Sequence, residues 1–225
     1  MNPTPEKTSV MAPFILMLFL YFIVGLFTVI NQQFQVPLKS ALLPHDGNMT
    51  NALVTLLNFS WFLAYPFSEG FATRWVDRLG YRKTSVYSLL IFIAGLGFYE
   101  AAVLLHIYAP SYITIMGNPI FTGFFIFLSG SFVIGMAVTI LQVVTGLYLD
   151  VNPVGKTTPL QRQMIGGTTN SIGMAIGPLV VSYIIFYGIP LHNVQSREFI
   201  WPVICLIAII CIFTLITARI KMPAI

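Results

Sequence analysis

Six stretches of about twenty apolar residues, separated by short polar segments, organise the chain. They run over roughly 12–32, 51–72, 84–106, 121–148, 164–187 and 199–219. A helix needs about 20 apolar residues to cross the hydrocarbon of a bilayer. None of the six alternates polar and apolar positions, and each far exceeds the roughly 10 residues of a barrel strand. Helices are therefore the only spanning form that satisfies the backbone. The expectation is an all-α membrane protein of six transmembrane helices, in one transmembrane domain over residues 1–225. The first run follows Lys7, lacks a small-residue cleavage site and is longer than a signal-peptide core, so it reads as a retained span.

Charge orients the spans. With the amino terminus inside, the inner segments hold Lys7, Arg74, Arg78, Arg82, Lys83, Lys156, Arg162, Arg219 and Lys221, and the outer loops hold only Lys39 and Arg197. Nine against two is a strong positive-inside bias. Both termini are then cytoplasmic, while HDGNMT (45–50) and IYAPSYITIMGNP (107–119) are turn-rich outer loops. Only 8% of residues are charged, against about a quarter in soluble domains, as expected where ionisable groups are expensive. The net charge of +4 is spread over short loops and makes no nucleic-acid stripe. Cys205 and Cys211 lie on different sides of one helix and are not placed to bridge. No metal-ligand spacing occurs, and no cofactor is implied.

The polar residues inside the spans carry the functional question. FTVINQQFQVPLK (27–39) ends an otherwise hydrocarbon helix. Thr28, Asn31, Gln32 and Gln35 fall at i, i+3, i+4 and i+7 and form one stripe, with Gln33 elsewhere and Pro37 ending or bending the helix. Such a stripe is either interhelical glue or the lining of a solute path. Taken by itself it favours glue. Amides both donate and accept, which suits polyhydroxylated solutes such as sugars. Span 2 places Asn58, Trp61, Tyr65 and Glu69 on one face, and aromatic faces stack on the apolar face of a pyranose. Pro66 is placed to kink this span. Span 4 carries Thr139 and Gln142 beside Gly135 and Gly146. Span 5 carries Gly166, Asn170, Gly173 and Gly177 on one face; the glycines read as close packing and Asn170 as the solute candidate. Pro178 is placed to free local carbonyls.

Glu69 reads as the inner end of span 2, and Glu100 lies in the outer part of span 3. Glu100 reads as reaching interfacial water rather than as a coupling site. RWVDRLGYRK (74–83) joins spans 2 and 3, with Asp77, Arg78, Gly80, Arg82 and Lys83 making either a positive-inside hairpin or a conformational latch.

DRLGYRK resembles the signature of the major facilitator superfamily, Asp-Arg-x-Gly-Arg/Tyr-Arg/Lys-Arg/Lys, although the usual Gly four residues before the Asp is Thr73 here. The wider pattern is similar to the fucose, galactose and glucose permeases, bacterial sugar–proton symporters. FTVINQQFQVPLKS, LVTLLNFSWFLAYPFSEGFATRWVDRLGYRK, GMAVTILQVVTGLY and LQRQMIGGTTNSIGMAIGPLV carry the likeness in order over about 12–219. The resemblance implies alternating-access transport of a sugar or similar solute in a bacterial inner membrane. It raises the pathway reading of Asn31, Gln32 and Gln35 above the glue reading. The family's acidic positions fall on Gln32 and Gln142. An amide cannot carry a proton, so a coupling proton or other ion acts elsewhere or not at all.

Members of the superfamily have twelve spans in two halves with solute between them. ARIKMPAI arrives where a central linker is expected, so the chain reads as an amino-terminal half that works with a carboxy-terminal half. The alternative is a half-size protein that binds solute as a dimer with a second copy, without ion-coupled transport. Within the half, spans 1–3 and 4–6 should form two inverted repeats. Spans 1, 2, 4 and 5 should face the cavity, and spans 3 and 6 should lie at the periphery. No HExxH, paired catalytic carboxylates or Ser–His constellation points to an enzyme, and His45, His106 and His192 are scattered on the outer side.

Overall fold

The computed structural model describes residues 11–43, 48–115 and 117–222. Its architecture is all-α, with five helices long and apolar enough to cross a membrane. The helices are α1 (Met11–Gln33), α2 (Gln35–Leu42), α3 (Asn48–Tyr108), α4 (Thr122–Val151), α5 (Pro159–Leu179) and α6 (Arg197–Arg219). Lys7 and His45 lie outside the described residues.

The 61 residues of α3 are two helices in series, broken at Gly80 with φ 77° and ψ 168°. A side chain at that φ would be strained, and glycine is not. The arms, 48–79 and 81–108, fold back into a hairpin. Ser60 of the first arm donates to the Leu128 carbonyl of α4, and Gly95 of the second arm packs on Gly130 and Ile134 of the same helix. The charged residues at 74–83 were expected to separate two spans; instead helix runs to both sides of the single glycine. Arg, Lys and Leu are good helix formers, so polarity alone does not end a helix.

α1 and α4 are the most enclosed helices. Met17, Leu20, Val24 and Phe27 of α1 are buried, as are Phe124, Phe127, Val138, Leu141 and Tyr148 of α4. Glycine sets how closely neighbours approach. A Cβ on Gly25 would run into the Asn170 carbonyl of α5, and one on Gly173 would meet the Phe22 carbonyl and Leu26 nitrogen of α1. Gly135 of α4 lies as close to the Trp61 carbonyl of the first arm. Gly177 meets Val29, so the Gly173–Gly177 pair packs on α1 as its spacing suggests.

α5 starts at Pro159, earlier than its apolar pattern suggests, because Thr158 and Gln161 close a capping box with Pro at the first turn. After Leu179 the helix widens into a π segment, Val180–Ile185, which follows Pro178. The ring of Pro178 cannot donate to the preceding turn, and the wider spacing absorbs the fault. The turn-rich loop expected at 107–119 contains a β-hairpin, with β1 (Tyr112–Ile115) antiparallel to β2 (Asn118–Phe121) and Gly117 at φ 80° in its turn. α6 is exposed along Trp201, Ile204, Ile209, Ile212 and Leu215, an apolar face suited to lipid.

Candidate functional site

The predicted site residues divide between two polar regions and the Gly80 turn. The first region lies towards the β-hairpin end of the bundle. Asn31 of α1 is 2% exposed. Its amide nitrogen donates to Asn58 Oδ1 at 3.3 Å. Its oxygen accepts from the Tyr99 hydroxyl at 3.3 Å and from Ser131 Oγ at 3.1 Å. One asparagine thus joins α1, both arms of α3 and α4. Aromatic rings close the region: Tyr99 stacks on Phe127 with centroids 3.7 Å apart, and Phe34 packs against Phe186 and Phe199. The void left beside Asn31 and Trp61 is about 10 Å³, near the room one water needs.

This geometry alters the reading of the stripe. Thr28 is buried and donates back to the Val24 carbonyl. Asn31 is buried, Gln32 is exposed and Gln35 is half-buried, so the four do not share one surface. The helix is interrupted at Phe34, three residues before Pro37, because the proline leaves the Gln33 carbonyl without its helical donor. Trp61 is 1% exposed and packs between helices, offering no ring face to a solute. Its Nε1 has no hydrogen-bond partner among the described residues, although it lies towards the Tyr65 hydroxyl. Asn170 donates to the Tyr21 carbonyl at 3.0 Å across the α1–α5 crossing, a tie between helices.

The second region is open. A cleft of about 340 Å³ lies towards the Gly80 end of the bundle, lined by Tyr21 of α1, Tyr65 and Glu69 of the first arm, and Thr139, Gln142, Val143, Gly146 and Leu147 of α4. Its size falls in the range of about 300–1,000 Å³ typical of small-molecule sites. The helical period builds it: Tyr65 and Glu69 are one turn apart on the first arm, as are Thr139, Gln142 and Gly146 on α4. The Thr139 hydroxyl donates to the Gly135 carbonyl at 2.8 Å. The side chains of Gln142 and Glu69 have no hydrogen-bond or ion-pair partner among the described residues. Hydroxyl, amide and carboxylate groups here can receive a hydroxylated ligand, with two tyrosine rings for its apolar face.

Of the predicted solute residues, only Gln142 lines this cleft. Tyr21 escaped the sequence reading because it is a single phenol in a hydrocarbon run. Glu69 was expected at the inner end of span 2; the first arm continues for about three further turns, which puts its carboxylate within the helix and on the cleft.

At the turn, Asp77, Arg78, Arg82 and Lys83 are exposed, and their side chains make no ion pair among the described residues. Tyr81, next to Gly80, sets its ring edge-on to Tyr148 of α4 at 5.3 Å. Arg162, counted as an inner-loop charge, is 2% exposed. Its Nε donates to the Leu149 carbonyl at 2.6 Å, and its terminal nitrogens donate to the Asp150 and Thr157 carbonyls at 2.7 and 2.8 Å. The guanidinium fork thus caps the carbonyl end of α4, where a cation also suits the helix dipole. Gln163 adds a bond to the Gly146 carbonyl at 2.7 Å.

Comparison with protein-family models, with curated proteins and with solved structures finds no match to this chain.

Proposed function

We propose that the chain is a six-span half of a bacterial inner-membrane transporter of major facilitator type, which moves a sugar or similar polyhydroxylated solute by alternating access. The observation that carries this reading is the cleft of Tyr21, Tyr65, Glu69 and Gln142, an unsaturated polar hollow in helices otherwise built for hydrocarbon. Unpaired polar groups on such helices face a cavity, a partner or water rather than lipid.

Two further features support it. Exchanging α1 with α4, and α5 with the first arm of α3, turns the glycine crossing of α1 on α5 into the crossing of α4 on the first arm. Inverted three-helix repeats would have this property. In addition, α5 exposes Gly167, Thr168 and Ser171, a face suited to a carboxy-terminal half or a second copy better than to lipid. On this reading Gly80 and its charges face the cytoplasm and the β-hairpin faces outwards.

The test is equilibrium binding of labelled fucose, galactose and glucose to the protein reconstituted in lipid, with Gln142→Ala and Tyr65→Ala alongside. Saturable binding that weakens about tenfold in each variant is expected, the size of a lost hydrogen bond or ring contact. Binding indifferent to both substitutions would remove the cleft from the mechanism.

A further inference from the structure

The cleft's charge goes beyond a neutral sugar site. Among its lining residues Glu69 is the one ionisable carboxylate, and no Lys, Arg or His lines the cleft to neutralise it. The Glu69 side chain has no hydrogen-bond or ion-pair partner among the described residues. Arg74 is five residues further along the first arm, a spacing that turns it off the Glu69 face. The other lining groups are two phenols, one hydroxyl already donated to the backbone, one amide and apolar side chains. Phenol rings add the negative face of their quadrupole to the carboxylate, which favours a cation. An anionic solute would meet the Glu69 charge with no cationic group to offset it. A neutral one would leave this exposed carboxylate without a counter-charge, whereas a cation supplies one.

We propose that the cleft selects a solute that is both hydroxylated and cationic, an amino sugar or similar amino polyol. Its ammonium pairs with Glu69 against the Tyr65 ring, and its hydroxyls meet Gln142 and Tyr21. Tyr65 and Glu69 are one turn apart on the same arm, so ring and carboxylate present themselves to one ammonium together. The proposal rests on the cleft being the solute site.

The experiment compares matched pairs on the reconstituted protein: glucosamine with glucose, galactosamine with galactose, and mannosamine with mannose. It is run at mildly acid pH, where the amines are protonated, in sodium and in potassium buffers, on wild type and Glu69→Gln. Wild type is expected to bind the amino member of at least one pair about tenfold more tightly, as a charge-assisted hydrogen bond provides. Glu69→Gln, nearly the same size, should reduce that preference to parity while keeping the weaker binding. Neutral sugars bound as tightly as their amino partners in every pair, or a preference that survives in Glu69→Gln, overturn the proposal and leave the solute-site reading standing. Sodium-dependent tightening of neutral sugars that is lost in Glu69→Gln would put the cation on a free ion and also overturn it. Binding of neither member of any pair overturns both.

Discussion

Asn31 and Gln142 are both uncharged amides on apolar helices, yet their surroundings are opposite. Asn31 bonds to three side chains from three other helical segments and adjoins a void of about 10 Å³. The Gln142 side chain bonds to none among the described residues and opens on about 340 Å³. The difference shows that an amide in a membrane helix takes its role from the groups facing it rather than from its own chemistry. Where partners converge, the amide is a joint. Where they are missing, it remains available to a ligand.

The largest perturbation of this contrast should come from Gly173→Leu. Its side chain would meet the backbone of α1 at Phe22 and Leu26, and α1 carries both Asn31 and Tyr21. Overpacking there is expected to cost about 3 kcal/mol, read as a large fall in melting temperature in detergent together with loss of solute binding. Asn31→Ala comes next. It deletes three interhelical bonds and leaves Asn58 and Tyr99 without this partner, while Ser131 keeps the Leu57 carbonyl, for about 2 kcal/mol of stability. A melting temperature unchanged by this substitution would mean that the joint holds nothing together. Ser131→Ala removes one of the three bonds and should cost about 0.6 kcal/mol, near the average for such bonds between membrane helices. Gln142→Ala should shift stability by less than about 0.5 kcal/mol, since no partner is stranded, even as it weakens binding. If the two amide variants exchanged their effects, the contrast would be reversed.

The sequence made some of this legible and hid the rest for physical reasons. Hydropathy placed the first span at 12–32, beside the observed Met11–Gln33, because a run of lipid-compatible side chains has sharp ends. It began the fifth at 164, five residues late, since a capping box and a polar first turn carry no hydropathy signal. The hairpin at Tyr112–Phe121 was carried only by the β-branched and aromatic residues of YITI and IF around Gly117, a signal passed over between two long helices. Gln142 could be singled out from one strand of text because its face carries its own neighbours Thr139 and Gly146. Asn31 could not be assigned, since Tyr99 and Ser131 lie 68 and 100 residues away, and no periodicity within α1 reports which distant hydroxyls will converge. Arg162 misled for a related reason: a charge count registers its presence but not the carbonyls it reaches.

That same arginine bears on the order of assembly. Its three acceptors, Leu149, Asp150 and Thr157, precede it by 13, 12 and 5 residues, so all have left the ribosome when Arg162 does. Closing so short a loop loses little chain entropy, and a guanidinium leaving water gains from finding its carbonyls at once. The tie between Asn170 and Tyr21 spans 149 residues and must wait for most of the polypeptide. The turn between α4 and α5 is therefore able to close before the rest of α5 is made, while the packing of α5 on α1 waits. α1, made first, is among the last to have its neighbours complete.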